Sequence, residues 1–541
     1  MKKLHNLYHT VKHLKATQII NRLKRKLFKP KLVPCTDAIR RPLKGAWLPV
    51  ELIRSSYIEG NTFCFLNHRG DTLNWNDSKQ EKLWLYNLHY FDDLNAENNI
   101  QRKAIHNNLI SRWISENPPI KGNGWEPYPQ SLRIVNWIQW FLSGNQSELI
   151  WQESLWQQTA VLEQDLEYHL LGNHLFANAK ALIFSGCYFE GGAAERWLDT
   201  GLSIIDKELK EQILSDGGNF EGSPMYHNTI LADMLSLINL SGASQHPKLQ
   251  SRVSTWKELV INMLNWMSTM THPNGNVAFF NDSAIGIAPT AEKLNDYALK
   301  LGLINENNNA QTMTHLKDSG YIRLSIHNQT ALLDVAKVGP DYIPGHAHAD
   351  TLSFEWNYGQ QRVFVNSGTS VYGLGDERLR QRKTEAHNTV VVDEQDSSEV
   401  WSGFRVARRA YPSTPIFNLT NHSAIVECSH NGYLRLSGKV THSRKWEMNE
   451  NSFLITDKLS GNYSTASAHY HLHPDIKVNN INNQFTLTLP CGQLLELTVS
   501  NADVNIVDTT WHPEFGSSIP NKKLVLSFNH PQASLKISRV N

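Results

Sequence analysis

The hydrophobic period of this chain changes once, near its middle. Over residues 80–303 apolar side chains recur at helical spacing, separated by short punctuation such as Asn117-Pro118-Pro119, Gly122-Asn123-Gly124, Gly191-Gly192, Gly217-Gly218 and His272-Pro273-Asn274-Gly275. Helices joined by turns this short fold back as antiparallel pairs. The broad apolar faces of 132–142, 175–184 and 229–240 are those of helices packed on both neighbours. Near Ser319 the texture turns to short runs rich in Val, Thr and aromatics, at 331–338, 352–356, 362–365, 389–392, 434–440, 453–457 and 485–489. Tyr358-Gly359-Gln360 sits between two of them as a hairpin turn. Many short strands with no long helical pattern among them predict antiparallel sheets in a sandwich rather than a parallel α/β sheet. A length of 541 residues exceeds what one hydrophobic core supports, so the expectation is a multidomain α and β chain. Its parts are a basic lead-in over 1–74, a helical domain over 75–312 and a β domain over 313–541.

The lead-in is unusual in charge. Residues 1–31 carry ten lysines and arginines and no acid, whereas the whole chain has a formal net charge of only +1. Leu7, Val11, Leu14, Ile19, Ile20, Leu23 and Leu27 place an amphipathic basic helix there. Two readings are open: peripheral contact with an anionic membrane surface, or a helix packed on its own domain with a solvated basic face. No segment of roughly 7–15 apolar residues follows the charges, so a cleavable secretion signal is not expected. A cytoplasmic or inner-membrane-associated location is then favoured over a periplasmic one. No apolar run approaches the roughly 20 residues that span a bilayer. Five scattered cysteines without Cys-x-x-Cys spacing indicate neither a disulfide framework nor a thiolate zinc site. No nucleic-acid partner is expected.

The densest polar cluster is Gly345-His346-Ala347-His348-Ala349-Asp350, directly before a predicted strand. In an extended segment its alternating histidines point the same way, toward one pocket. Asn366, in Val365-Asn366-Ser367-Gly368-Thr369, and His387, in Ala386-His387-Asn388-Thr389, lie at strand ends and can converge with His348 on one ion. In the helical half, Gly172-Asn173-His174 and Ser223-Pro224-Met225-Tyr226-His227 place Asn, His or Tyr at helix starts, where side chains reach out of a packed bundle. Taken locally, Asn173 reads equally as a helix N-cap and Tyr226 as an interface aromatic. His469, His471 and His473 alternate along one strand and read first as a sandwich-face feature, with metal binding as the alternative.

Together these motifs, with the stretch from Trp125-Glu126-Pro127-Tyr128 to Asn136-Trp137, resemble the heparinase II/III family of polysaccharide lyases from roughly Trp84 onward. The resemblance implies an N-terminal incomplete (α/α) toroid followed by a C-terminal antiparallel β-sandwich, with the substrate cleft between them. It implies β-elimination on a uronate-containing anionic polysaccharide: a glycosaminoglycan, or a bacterial capsular polysaccharide or exopolysaccharide. Asn173, helped by His174, would neutralise the substrate carboxylate. Tyr226 would be the acid, and base too for one stereochemistry, while His346 would act as base or hold the anion. Trp125, Arg133 and Arg382 are expected at the substrate, the arginines because guanidinium forks match carboxylate and sulfate. A structural zinc in the family is held by residues matching His348, Asn366 and His387. The middle ligand there is an aspartate, and a neutral amide is a poorer ligand for a divalent ion.

Two other readings stand beside the lyase. A glycoside hydrolase on the same scaffold requires two positioned carboxylates, for which Glu126, Asp216 and Glu221 are available. A non-catalytic polysaccharide-binding protein of an assembly pathway would leave Asn173, Tyr226 and His346 without a task.

Overall fold

The computed structural model describes residues 2–35, 38–303, 311–420, 422–482 and 484–540. The basic lead-in forms two helices rather than one, α1 (Lys2–Val11) and α2 (Ala16–Leu27). The break follows from Lys15, whose backbone is extended and whose N–H donates to Gln18 Oε1 at 3.0 Å, which starts a second helix. A three-stranded antiparallel sheet, Tyr57–Glu59, Thr62–Phe65 and His68–Asp71, precedes the helical half and is absent from the sequence reading.

The helical half contains α3 (Lys82–Tyr90), α4 (Lys103–Glu116), α5 (Pro127–Leu142), α6 (Leu149–Leu162), α7 (Gly172–Tyr188), α8 (Gly192–Gln212), α9 (Pro224–Ser244), α10 (Pro247–Gln250), α11 (Val253–Met270) and α12 (Ala291–Lys300). Proline at the first turn opens α5 and α9, where a missing N–H costs nothing. The side chain of Ser223 caps α9 by accepting from Tyr226 N at 3.2 Å. Nearly every side chain of α7 is buried, because α5, α8 and α9 pack around it. Among the described residues no helix is long and apolar enough to cross a membrane.

The β half is a sandwich. An eight-stranded sheet runs Ile416–Leu419, Ser423–His430, Thr441–Asn449, Ser452–Ser460, Gln532–Arg539, Leu494–Ser500, Gln484–Thr488 and Lys477–Ile481 in spatial order. Every pairing in it is antiparallel. Burial along Thr441–Asn449 alternates, which sends His442, Arg444, Trp446 and Met448 inward. The opposing layer is a five-stranded meander from Met313–Leu316 to Gln361–Phe364. A four-stranded sheet built on Ala466–His471 joins that layer through a bridge between Phe364 and Leu472. Phe354 and Trp356 of the meander meet Phe453 of the large sheet at ring distances of 5.6 and 5.9 Å.

Two expected strands differ. The run 331–338 ends at Asp334, whose Oδ1 accepts Ala336 N at 2.8 Å and turns the chain. At 434–440 there is no strand: Gly432–Arg435 is a single 3₁₀ turn, fixed by the buried Tyr433 hydroxyl donating to Val390 O at 2.6 Å.

The halves meet over a small shared core of Trp266, Met270 and Phe280 against Leu316, Tyr321 and Leu332. Polar clamps flank it. Asp216 Oδ2 accepts from Ser319 N at 2.7 Å, and Tyr321 donates to Gly222 O at 2.6 Å. His272 Nε2 donates to Glu355 at 2.7 Å, both side chains being fully buried.

Candidate active site

Two helix starts and two β-half loops converge on one place. Leu171 and Gly172 both take left-handed backbone, φ 66 and φ 57, so the chain turns sharply into α7 and delivers Asn173 and His174 at its mouth. Gly172 is required twice over, by that φ and because a Cβ would stand 2.8 Å from Ile343 Cδ1. The same Cβ would be 3.4 Å from Glu221 Oε1, so the start of α7 lies against the residue that holds His346.

Asn173 is buried beside the Tyr128 hydroxyl. His174 packs on the Tyr128 ring at 4.4 Å, and its Nδ1 lies 3.1 Å from Glu167 Oε1. Burial opposes a charge on His174, but the Glu167 carboxylate outweighs it and the net shift is upward. Tyr226, at the first turn of α9, stacks on the His346 ring with centroids 4.0 Å apart and planes 17° from parallel. His346 Nδ1 sits 2.5 Å from Glu221 Oε2, a contact that sets the tautomer and leaves Nε2 as the available nitrogen. The Tyr226 and Tyr372 hydroxyls are 2.9 Å apart. Burial, then Tyr372 and Asp282, push the Tyr226 hydroxyl well above the ordinary tyrosine value. Beside Tyr372 opens a cleft of about 230 Å³, lined by Leu66, His68, Leu83, Ser370 and Phe515 among others.

Behind these groups lies a buried ionic cluster. Arg378, in a short helix α13 (Asp376–Arg382), donates to both oxygens of Asp282, with Nη2 to Oδ2 at 2.7 Å. His348 Nε2 is 2.8 Å from Asp282 Oδ1. Burial alone would raise the Asp282 pKa, but Arg378 and then His348 hold it far below the usual carboxylate range. Asp282 N also donates to His346 O at 2.9 Å, so the cluster anchors the loop that carries His346.

His348, Asp350 and His387 bring one ligand atom each within 4.8 Å of one another, all buried. Among the described residues, the buried His348 Nδ1 and His387 Nε2 have no hydrogen-bond partner. The other nitrogen of each ring is oriented, by Asp282 for His348 and by Asn366 Oδ1 at 3.3 Å for His387. Burial keeps both rings in the neutral form that offers a lone pair. Two outward lone pairs, a carboxylate and an orienting partner behind each imidazole fit a divalent ion with an open fourth position. The expected ligand Asn366 does not supply the anionic donor. Its Oδ1 is taken up by Asn388 N at 3.3 Å and by His387, and Asp350 provides the carboxylate instead.

Three expected substrate contacts lie elsewhere. Trp125 is buried, donating to Asn117 O and packing on Trp113 at 5.7 Å. Arg133 is fully buried, donating to Gln158 Oε1 at 2.9 Å and to His89 O at 3.3 Å, with its guanidinium 3.8 Å from the Trp113 ring. Arg382 is fully buried and clamps Ala347 O from Nε and Nη2 at 3.0 and 2.9 Å. It shapes the loop carrying His346 and His348 without facing the cleft. His471 donates to Glu385 O from a buried position and His469 meets Ser467, as sandwich-face residues.

Sequence reasoning missed Tyr372, Glu167, Asp282 and Arg378, and it placed Glu221 among hydrolytic carboxylates. The only legible signal for any metal carboxylate was Asp350, two residues after His348.

The chain matches the sequence model of the heparinase II/III N-terminus over residues 36–301 and of the heparinase II/III-like C-terminal domain over 308–538. It is 25% identical over 324 residues to a heparin-sulfate lyase of Pedobacter heparinus, covering 53% of this chain and 48% of that protein. It is 24% identical over 312 residues to a heparin-sulfate lyase of Bacteroides stercoris, covering 52% and 46%. The matched region thus spans about half the length of these curated relatives. A crystal structure of heparinase III superimposes with a TM-score of 0.70 at 21% identity, covering 87% of this chain and 80% of that one. The shared architecture is a helical toroid followed by a β-sandwich. With both halves matched in order and over almost their whole length, the chain belongs to the heparinase II/III family.

Proposed function

We propose that the protein is a polysaccharide lyase that cleaves a uronate-containing anionic polysaccharide by β-elimination. The observation that carries this reading is the stack of Tyr226 on His346, one from each half of the chain, with His346 oriented by Glu221. A lyase removes the proton beside the sugar carboxylate and expels the glycosidic oxygen from the neighbouring carbon. The pair of electrons from the broken C–H bond becomes the new double bond, and no water is consumed.

That proton is weakly acidic while the carboxylate is ionised, so the anion must first be countered. The Asn173 amide and the His174 imidazolium, held charged by Glu167, supply this at the mouth of α7. His346 Nε2 takes the proton. Tyr226, kept protonated by its surroundings, gives its own to the departing oxygen. The relatives' names, heparin-sulfate lyases, agree with a glycosaminoglycan or related uronate polymer.

The three carboxylates that the hydrolase reading names are all engaged. Glu126 accepts from Lys82 and Tyr86, Asp216 holds the backbone at Asp318 and Ser319, and Glu221 holds His346. Incubation with a panel of uronate polysaccharides tests the choice. Ultraviolet absorbance of an unsaturated uronate is the expected product signal; new reducing ends without that absorbance would mean hydrolysis and sink the proposal.

Glu221→Gln is expected to lower kcat roughly 10²–10⁴-fold, because an amide no longer enforces the His346 tautomer. KM is expected to stay near its parent value, since Glu221 is 3% exposed and its carboxylate is engaged by His346. A kcat within threefold or so of the parent would remove Glu221 from this role.

His348, Asp350 and His387 would hold a divalent ion, zinc by donor type, whose contribution is to brace the loop between His346 and Asp350. Metal analysis of purified protein is expected to find the ion bound, with Asp350→Asn losing it and a chelator lowering the melting temperature. An unchanged melting temperature after complete chelation would argue that the three side chains bind nothing.

A further inference from the structure

The first two helices dock on the body in an inverted way. An amphipathic helix on a globular protein ordinarily buries its apolar stripe. Here the polar stripes make the contacts. From α1, the Thr10 hydroxyl donates to Val406 O at 3.1 Å and accepts from Trp401 Nε1 at 3.1 Å, and Asn6 is buried beside it. From α2, Arg25 forms a two-pronged pair with Asp165 at 2.8 and 3.0 Å, and Gln18, 2% exposed, donates to Tyr342 O. Lys15, just before α2, pairs with Glu211.

At 3.6 residues per turn, the side of α2 opposite Gln18 and Arg25 is formed by Ile19, Ile20, Leu23 and Leu27. All four are exposed, Leu27 at 77%. The side of α1 opposite Asn6 and Thr10 is formed by Leu4, Tyr8 and Val11, with Leu7 at its edge, all exposed, Leu4 at 73%. Phe28, Leu32 and Val33 continue the apolar surface past α2. Exposed cations border it: Lys3 and Lys12 beside α1, and Arg22, Lys24, Lys26, Lys29 and Lys31 along and beyond α2. No acidic residue occurs in this segment to neutralise them.

We propose that this face binds the surface of a membrane rich in anionic lipid, with the apolar side chains entering the headgroup boundary and the flanking lysines and arginines meeting lipid phosphates. The charge pattern selects this occupant. A second copy of the chain would set one all-basic segment against another, whereas an anionic surface complements both the stripe and its border. The polar contacts to Asp165, Tyr342 and Val406 fix the orientation, holding the greasy side outward on a rigid body. This inference is independent of the lyase reading.

The test is co-sedimentation of the full chain with vesicles of phosphatidylglycerol and phosphatidylethanolamine, against vesicles of phosphatidylcholine alone. Expected is binding to the anionic vesicles that weakens with added salt and falls by at least about tenfold in the double variant Leu23→Glu, Leu27→Glu. The reverse of charge at Arg22→Glu, Lys26→Glu is expected to act in the same direction. Because all four positions are exposed, both variants keep the parent melting curve, which separates lost docking from lost folding. Absence of vesicle binding, or equal binding to both vesicle types, overturns the proposal. So does a dimer in solution that the same leucine substitutions disperse.

Discussion

Tyr226→Phe is expected to cut the rate of product formation by roughly 10²–10⁴-fold while leaving the protein folded. The hydroxyl is the only group removed, and the ring that stacks on His346 at 4.0 Å stays. The lost contact to Tyr372 is one neutral hydrogen bond, worth about 0.5–1.5 kcal/mol. Rate and melting temperature therefore separate: unsaturated product collapses, the thermal midpoint barely moves. An equal collapse of both would mean that the hydroxyl is structural, and an unchanged rate would remove Tyr226 from the reaction. Raising the pH gives a second check. His174 has a raised pKa, so its charge persists to higher pH than an ordinary imidazole's and is lost as pH climbs through the raised value, whereas Tyr226 keeps its proton to higher pH still. The first alkaline loss of activity is expected to belong to His174 and to disappear in His174→Asn, which has no proton to lose.

Asp282→Asn is expected to destabilise the protein by about 3–5 kcal/mol, because it leaves the fully buried Arg378 guanidinium without a counter-charge. The amide also offers only one acceptor where Arg378 and His348 now share two carboxylate oxygens. The same carboxylate gives a pH dependence. Its folded pKa is depressed far below the unfolded value of about 3.9, so its stabilisation is complete above that value and is lost progressively as pH falls beneath it. Denaturant midpoints at neutral pH, and across the acid range for parent and variant, check both statements. A neutral-pH loss under about 1 kcal/mol would show that Arg378 finds another partner.

What could be read from the chain beforehand follows the range of the interactions. The two textures, the helices around Asn173 and Tyr226 and the strand around Phe453 rest on local periodicity and appear where expected. The lead-in sheet was illegible because Thr62–Phe65 and His68–Asp71 are four residues each, too short to show a period. The break between α1 and α2 carries neither Gly nor Pro, so nothing marked it. Apolar Leu434 and Leu436 imitate a strand, but the turn there is dictated by a distant acceptor, Val390 O.

In the site, the side chains delivered by the helix starts and by the His346 loop were readable by type. Arginine was not: the sequence reveals a guanidinium but not whether Gln158, Ala347 or Asp282 already occupies it. Asp282 and Arg378 stand 96 positions apart, and no local rule couples them. Asn366 was read as a ligand by position, whereas the carboxylate that faces the two imidazoles comes from Asp350 in the histidine loop itself.

The clasp of Asp282 on Arg378 and His348 also bears on inheritance. Tyr226 and Asp282 belong to the first half of the chain; His346, Tyr372 and Arg378 belong to the second. Neither half is a portable cassette. A chimera that exchanges one half for that of a distant relative keeps this arrangement only if Tyr226, His346 and both ends of the clasp travel as a matched set. The two halves of this chain are therefore bound to drift together, each constraining the substitutions the other can accept.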